Sequence, residues 1–428
     1  MVPVRPWNCP PFASICCAAG EELSRRRVSI SKLKAAVAVS VRGVGTTPLC
    51  RFRRAGREWA RFNVPDRKVG RTQLSTVAQF FALPPSQRDH IPAARIALSV
   101  AIPLLVLLAL DRTDLAIYAA FGAFTSIYAR NEPIRDRFKH QSQAALILLV
   151  CILLGALLSN MGAAQLVTLG VTAVVAGVGA LVAAYLNLKP AGSLFFIFAV
   201  GAIGSLPEAA PPWLAGLIAA LSAGLSVALG LAGQWVGEGV QGPIAPVPAH
   251  HGLATGQLWS HAGRFFLATS VAGALGLLSG MSHSYWAMVA AAAPIAAPDL
   301  SARLQRGVHR MVGTLGGVGV TAFLLSMKLE TWHIVVFVIL LQFLAELFIG
   351  RNYSIALLFI TPLALLMTQL AHPVETLSLL QARAVETVIG AVCGLAVVYF
   401  FRSRSEREAD TRAVPLIRQA ANGEEPQD

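Results

Sequence analysis

Long apolar segments separated by short polar breaks fill the sequence from residue 93 to residue 401. A helix that crosses the roughly 30 Å hydrocarbon core of a bilayer needs about 20 predominantly apolar residues. The pattern predicts twelve membrane spans, near 93–110, 114–129, 141–159, 163–187, 192–206, 213–235, 262–280, 285–298, 306–327, 332–350, 353–370 and 378–401. The second, fifth and eighth of these are short, so ten spans are an alternative to twelve.

Basic residues in the short loops predict the orientation of these spans, because loops rich in Lys and Arg stay on the cytoplasmic side. Basic clusters follow the second and eighth spans and open the C-terminal tail. They comprise Arg130, Arg135, Arg137, Lys139, Arg303, Arg306, Arg310, Arg402, Arg404 and Arg407. With an even number of spans, both termini are predicted to be cytoplasmic. We expect a multi-pass protein of the bacterial plasma membrane.

The two halves of the membrane region repeat one layout. Arg95 opens the first span and Arg264 opens the seventh, a separation of 264 − 95 = 169 residues. In each half a short second span is followed by a basic loop and a long third span. Six spans per copy is an even number, so the copies run parallel rather than inverted. We predict an all-α integral membrane protein of two parallel six-helix repeats.

The predicted domain boundaries follow from this repeat and from composition. They are a basic N-terminal extension at 1–90, the first repeat at 91–235, a cytoplasmic linker at 236–258, the second repeat at 259–402 and a polar tail at 403–428.

Composition agrees with a membrane protein. Hydrophobic residues make up 55% and charged residues 13% of the 428 residues, whereas soluble domains carry about 25% charge. The mean hydropathy is +0.61. Of the net charge of +13, residues 1–90 hold 16 − 5 = +11 and residues 91–428 hold 19 − 17 = +2. The membrane region is almost neutral, which argues against a nucleic-acid partner.

The basic N-terminal region contains no apolar run long enough to span a membrane. We expect a disordered extension, ending in a short interfacial helix near 73–83 whose apolar residues share one face. Three alternatives remain for residues 1–90: an organelle transit peptide, a cytosolic arm that touches anionic lipid, and a start codon assigned too far upstream.

Motifs for enzymatic chemistry are missing from the sequence. There is no GxxxxGK[ST] phosphate loop, no Cys/His spacing typical of a metal site and no Ser/His/Asp arrangement. We therefore expect a protein that is not an enzyme and needs no cofactor or metal.

Three arginines are candidate substrate-binding residues: Arg306, Arg310 and Arg383. Arginine suits a carboxylate because its planar guanidinium donates two parallel hydrogen bonds. The alternative for Arg306 and Arg383 is a helix-packing seam with an arginine at its end. Each is followed seven and eleven residues later by glycine, a spacing that puts the glycines on one face.

Two carboxyl groups are candidates for proton coupling. Glu346 lies among apolar residues, where loss of solvation favours the protonated form; its alternative is an orientation towards Arg351 at the membrane surface. Glu386 lies three residues after Arg383, so the two can pair on one helix face. A mutually neutralising structural pair is the alternative there.

Aromatic side chains of the short spans are further candidates. Paired, interrupted spans at corresponding places in two repeats point to a binding site. Tyr118 and Phe121 in span 2, and Trp286 in span 8, can stack on an aromatic substrate. For Trp286 an interfacial aromatic belt is the alternative.

Four motifs of the second repeat form a recognisable pattern. They are Arg306-x6-Gly313-Thr314-x2-Gly317, Arg351-Asn352-Tyr353-Ser354-x-Ala356-Leu357, Ile360-Thr361-Pro362-Leu363-Ala364-Leu365 and Arg383-x2-Glu386-Thr387-x2-Gly390-x3-Gly394. With these motifs the second repeat resembles the fusaric acid resistance protein-like family of membrane transporters, which is grouped with the aromatic acid exporters. The resemblance implies efflux of organic, often aromatic, anions driven by the proton gradient, with the bilayer and a small-molecule anion as partners. An anion channel and a non-transporting scaffold remain alternatives, and a homo-oligomer remains open.

Overall fold

The fold of the membrane region is helical throughout its described length. The computed structural model describes residues 89–236, 238, 255–281, 283–327 and 329–401, with Leu83 and three short N-terminal segments. The helices are α1 His90–Ala109, α2 Ala116–Ala123, α3 Ile134–Asn160, α4 Gln165–Tyr185, α5 Leu194–Gly204, α6 Pro212–Ala232, α7 Thr255–Leu278, α8 Tyr285–Ile295, α9 Leu300–Leu325, α10 Thr331–Ile349, α11 Tyr353–Ala371 and α12 Thr376–Phe400.

This architecture confirms the predicted fold class. Within the described ranges, nine helices are long and apolar enough to cross a membrane. The three shorter apolar segments are Thr113–Ile127, α5 and α8, which are the three spans expected to be short. The first consists of α2 flanked by the 3-10 turns Thr113–Leu115 and Phe124–Ile127.

The short helices cannot cross the bilayer alone. At 1.5 Å per residue, the 11 residues of α5 and of α8 span about 17 Å, little more than half of the hydrocarbon core. Chain that leaves a helix at membrane depth must be buried in protein or line a water-filled cavity. The ends of α2, α5 and α8 are therefore expected at an internal cavity.

Helix packing repeats between the two halves. In the first half α3 packs on α5 and α6, and α2 packs on α6. In the second half α9 packs on α11 and α12, and α8 packs on α12. Across the halves, α1 meets α10 and α4 meets α7. Each helix of the first half has its counterpart six numbers later in the second half, and replacing every helix by its counterpart gives the same set of contacts. The parallel repeat is therefore present in the packing as well as in the sequence.

Close contact between a short and a long helix is made by glycine in both halves. In the second half a Cβ at Gly390 or Gly394 of α12 would overlap the backbone of Ala287 or Ala291 of α8. In the first half the glycine lies on the short helix, where a Cβ at Gly122 would overlap Ala219 of α6. The same seam is thus built with the glycine on opposite partners.

The N-terminal region contains three short strands: β1 Val39–Ser40, β2 Cys50–Arg53 and β3 Trp59–Phe62. They form an antiparallel sheet in the order β1-β2-β3. The disordered extension expected at residues 1–90 stays a prediction.

The other sequence predictions for the chain ends stay predictions. The interfacial helix near 73–83, most of the linker at 236–258 and the tail at 403–428 lie outside the described residues.

Candidate functional site

A cavity of about 800 Å³ lies between the two halves of the membrane region. One end is formed by loops and helix ends that include Arg130, Lys189 and Arg351. The other end reaches Tyr285, the first residue of α8, and Arg383, seven residues into α12. At 1.5 Å per residue Arg383 lies about 10 Å inside its helix, so the cavity extends through much of the membrane region.

Three arginines of the second half line this cavity, and none has a carboxylate partner in the part of the chain that the structure describes. Arg306 and Arg310 lie one turn apart on α9 and both contact Tyr353. The guanidinium carbon of Arg306 is 4.8 Å from the centre of the Tyr353 ring, and Arg310 Nη1 donates to Tyr353 Oη at 3.2 Å. In the part of the chain that the structure describes, neither forms an ion pair.

Arg383 is held by an aromatic ring rather than by an acid. Its guanidinium carbon is 5.0 Å from the centre of the Trp286 ring, a cation–π contact. The Nε atoms of Arg306, Arg310 and Arg383 are buried and have no hydrogen-bond partner among the described residues. These guanidinium groups can therefore still donate hydrogen bonds to an anion.

Carboxylates of the cavity wall pair with cations of the first half. Glu238 accepts from Arg95 Nε at 2.9 Å and from Arg137 Nη1 at 3.1 Å. Glu132 lies 3.9 Å from Lys189 Nζ. The wall is therefore nearly neutralised on the first-half side and basic on the second-half side.

Glu346 joins the two halves. Its Oε2 accepts from Arg130 Nη1 at 3.1 Å, and its Oε1 accepts from Gln342 Nε2 at 3.3 Å. Arg130 also donates to the backbone oxygens of Glu346 and Asp89, at 2.8 Å and 3.2 Å. Glu346 thus pairs with an arginine of the other repeat, which neither the apolar surroundings nor the proximity of Arg351 had suggested.

Among the described residues, no ion pair joins Glu386 to Arg383, although their spacing allows one. Glu386 Oε1 accepts from the backbone N–H of His283 at 3.2 Å. Its Oε2 is buried without a partner in the described ranges. The two side chains diverge because Arg383 turns to the cavity and Trp286, whereas Glu386 turns to the loop before α8. Glu386 does not line the cavity.

Aromatic rings from the short helices cover one wall of the cavity. Phe121 and Phe198 meet edge to face with ring centres 5.0 Å apart, and Phe198 stacks on Tyr285 at 6.3 Å. Phe124 and Phe195 extend this wall, with ring centres 5.4 Å apart. The ends of all three short helices therefore meet at the cavity.

Of the three aromatic candidates from the sequence, only Phe121 faces the cavity. Tyr118 and Trp286 are buried but do not line it. Tyr118 Oη accepts from the backbone N–H of Ala210 at 2.8 Å, and Trp286 lies behind Arg383. Both have supporting positions.

Among the described residues, the cavity lining includes loops at one end of the helices. At the opposite end, Gln165 Nε2 donates to Ser284 Oγ at 2.8 Å, and His283 stacks on Trp286 with ring centres 4.7 Å apart. Burial lowers the pKa of His283. In the described ranges, the lining of the cavity does not extend to these four residues.

Sequence analysis missed several lining residues: Arg130, Arg137, Lys189, Glu238, Phe195, Phe198 and Tyr353. A signal existed for Arg137, because 306 − 137 = 169 is the separation of Arg95 from Arg264. The pairing of short spans 2 and 8 drew attention away from span 5, which supplies Phe195 and Phe198.

Part of the cavity wall lies in a segment that matches a known family. Residues 269–397 match the fusaric acid resistance protein-like family. The matched segment runs from α7 to α12 and contains Arg306, Arg310, Glu346 and Arg383. The resemblance predicted from the sequence motifs is confirmed for this segment, which therefore matches a family of membrane transporters. Arg130 and the aromatic wall from α2 and α5 lie outside it.

Two curated relatives share part of the chain. The uncharacterized membrane protein YvaC of Bacillus subtilis is 32% identical over 120 residues, which are 28% of this chain and 19% of the relative. The uncharacterized protein slr1298 of Synechocystis is 28% identical over 156 residues, which are 36% and 20% of the two chains. The matched regions thus span about a fifth of either relative. No solved structure matches the chain significantly.

Proposed function

We propose that this protein exports small organic anions, in particular aromatic carboxylates, and that the proton gradient drives the export. The observation that carries the proposal is the set of arginines that have no carboxylate partner among the described residues and lie on the wall of an 800 Å³ cavity. That volume lies in the range of about 300–1,000 Å³ usual for small-molecule sites.

In this proposal the charged and apolar parts of the substrate bind to different walls. Arg306, Arg310 and Arg383 hold the carboxylate side of the anion through charge-assisted hydrogen bonds. Phe121 and Phe198 offer edges and faces to an aromatic ring. Both walls belong to one cavity, so a single small molecule contacts both.

Glu346 is the proposed coupling group because it carries the ion pair between the repeats. A proton on its carboxylate removes the charge that Arg130 binds, which weakens the link between α10 and the loop after α2. Such a change biases the two halves towards a different arrangement. Glu386, buried beside the loop before α8, is a second proton-binding candidate.

A cavity whose described lining stops short of one end of the helices favours a carrier over a channel, because a channel needs a continuous open path. With both termini on the cytoplasmic side, as the basic loops predict, the end of the cavity that is lined by loops faces the cytoplasm, where an exporter collects its substrate. The proposed location is the bacterial plasma membrane. The proposal includes no catalytic step, and one chain supplies the whole cavity whether or not copies associate.

The test is efflux from bacteria that express the full chain and are preloaded with benzoate or hydroxybenzoate, with and without a protonophore. We expect protonophore-sensitive efflux, lost in Arg383→Ala and uncoupled or lost in Glu346→Gln. Arg112→Ala is the matched control, since Arg112 binds Asp114 in an exposed loop. The exporter is contradicted if efflux is the same in both site variants as in the wild type. It is also contradicted by a current that does not depend on the proton gradient.

A further inference from the structure

We infer that the anion held by this site carries two negative charges on separate groups, as a benzene dicarboxylate does. The inference rests on the proposed function and narrows its substrate class. It follows from the charge of the arginine cluster, from its division into two parts and from a carboxylate that the first repeat already holds.

The charge of the cluster exceeds what one carboxylate neutralises. Arg306, Arg310 and Arg383 contribute three positive charges. Even with Glu386, which forms no ion pair with Arg383 among the described residues, counted as a full negative charge, the sum is 3 − 1 = +2. Glu346 does not alter it, because that carboxylate is bound by Arg130.

Burial makes this excess costly without a ligand. Arg310 is 3% exposed and Arg383 is 2% exposed. Taking a charge out of water without a partner is strongly unfavourable, and neighbouring aromatic rings compensate for only part of that loss. An anion of matching charge would remove the penalty, whereas a monoanion would leave one guanidinium uncompensated.

The cluster has two parts, on different helices of the cavity wall. Arg306 and Arg310 lie beside Tyr353, the first residue of α11. Arg383, on α12, lies over Trp286 instead. The aromatic wall with Phe198 and Tyr285 belongs to the same cavity. Two carboxylates on one aromatic ring match two cationic parts and an aromatic surface.

The first repeat shows how one carboxylate is held by paired arginines. There Glu238 binds Arg95 and Arg137 together, at 2.9 Å and 3.1 Å. Arg306 is the repeat counterpart of Arg137, 169 residues later, and has no carboxylate among the described residues. The counterpart of Arg95 is Arg264, which does not line the cavity, so Arg310, one turn from Arg306, would be the second arginine. A ligand carboxylate at Arg306 and Arg310 would then be held by two arginines as Glu238 is, which leaves Arg383 for a second group.

The test compares three probes of similar shape on the purified full chain in detergent: benzoate, isophthalate and trimesate. Affinity is measured by calorimetry and by ligand-induced shifts of the unfolding midpoint at fixed ionic strength. We expect isophthalate to bind at least tenfold more tightly than benzoate. Arg383→Gln and Arg306→Gln should each reduce that preference to less than threefold, while the exposed control Arg112→Gln keeps it.

Two outcomes separate this inference from the proposed function. Benzoate and isophthalate of equal affinity, with benzoate still exported, would overturn the dianion and leave the exporter in place. Absence of binding and export for all three probes would overturn both. If Arg383→Gln does not fold, Arg383→Lys keeps the charge but loses the planar fork, and an unchanged preference in that variant would count against a bidentate carboxylate at Arg383.

Discussion

The ion pair between Arg130 and Glu346 should be among the strongest side-chain links between the two repeats. Arg130 belongs to the loop after α2, and Glu346 to α10. Arg130 donates to Glu346 Oε2, to the Glu346 backbone oxygen and to the Asp89 backbone oxygen. Arg130→Gln shortens the side chain and removes its charge, so all three contacts are lost together.

The expected effect follows from burial. The side chains of Arg130 and Glu346 are 14% and 7% exposed. Breaking a buried pair by removing one partner costs about 3–5 kcal/mol, because the other charge stays buried. Since Arg130 retains some exposure, we expect a loss near the lower limit, about 3 kcal/mol. In Glu346→Gln the amide oxygen still accepts from Arg130, so that loss is smaller.

The assay is a double-mutant cycle on the free energy of unfolding in mixed micelles. Arg130→Gln with Glu346→Gln should destabilise less than the sum of the single changes, by about 2 kcal/mol, within the range usual for residues in contact. The control cycle uses Arg112 and Asp114, an exposed pair, for which the changes should add. Additive changes at Arg130 and Glu346 would refute the link between the repeats and the coupling role built on it.

Two other predictions test the packing and the aromatic wall. Gly394→Ala places a Cβ against the Ala291 carbonyl and should lower the free energy of unfolding by about 1–3 kcal/mol. In the control Gly319→Ala the new Cβ meets nothing within 4 Å, so that change should be neutral or stabilising by about 0.5–1 kcal/mol. Equal unfolding midpoints for the two variants would contradict the close packing of α12 on α8. Phe198→Ala should weaken the binding of benzoate more than that of cyclohexanecarboxylate. Tyr118→Phe should lower the free energy of unfolding by about 1 kcal/mol and leave both affinities unchanged. A loss of binding in Tyr118→Phe would show that Tyr118 belongs to the binding site.

The membrane helices were predictable because the bilayer fixes their length and forces apolar composition on every span. The predicted span 378–401 corresponds to α12 at Thr376–Phe400, and the three short spans were recognised as short. The strands β1, β2 and β3 were not predicted, because strands of two to four residues carry too little periodic signal beside spans of 20 residues.

The site was predictable only in part. An arginine within an apolar segment is a candidate site residue whichever way its helix is rotated about its axis. That rule was enough to identify Arg306, Arg310 and Arg383. Partners depend on the rotation of each helix about its axis and on contacts across the repeat. Glu346 and Arg130 are 216 residues apart, so no local spacing connects them, whereas the three-residue spacing of Arg383 and Glu386 suggested a pair that their side chains do not form.

In the proposed exporter, the difference between the repeats gives a symmetric framework one anion site. Parallel repeats bring equivalent arginines, Arg137 and Arg306, to the same cavity. In the first half Glu238, just after α6, occupies the arginines, whereas in the second half Arg306 faces the cavity with Tyr353 beside it. Since a carboxylate of the chain is always present at full occupancy, the first half cannot accept an anion from solution. Selectivity for the number of charges on a substrate then resides in the second half alone, which is also the segment that matches the transporter family.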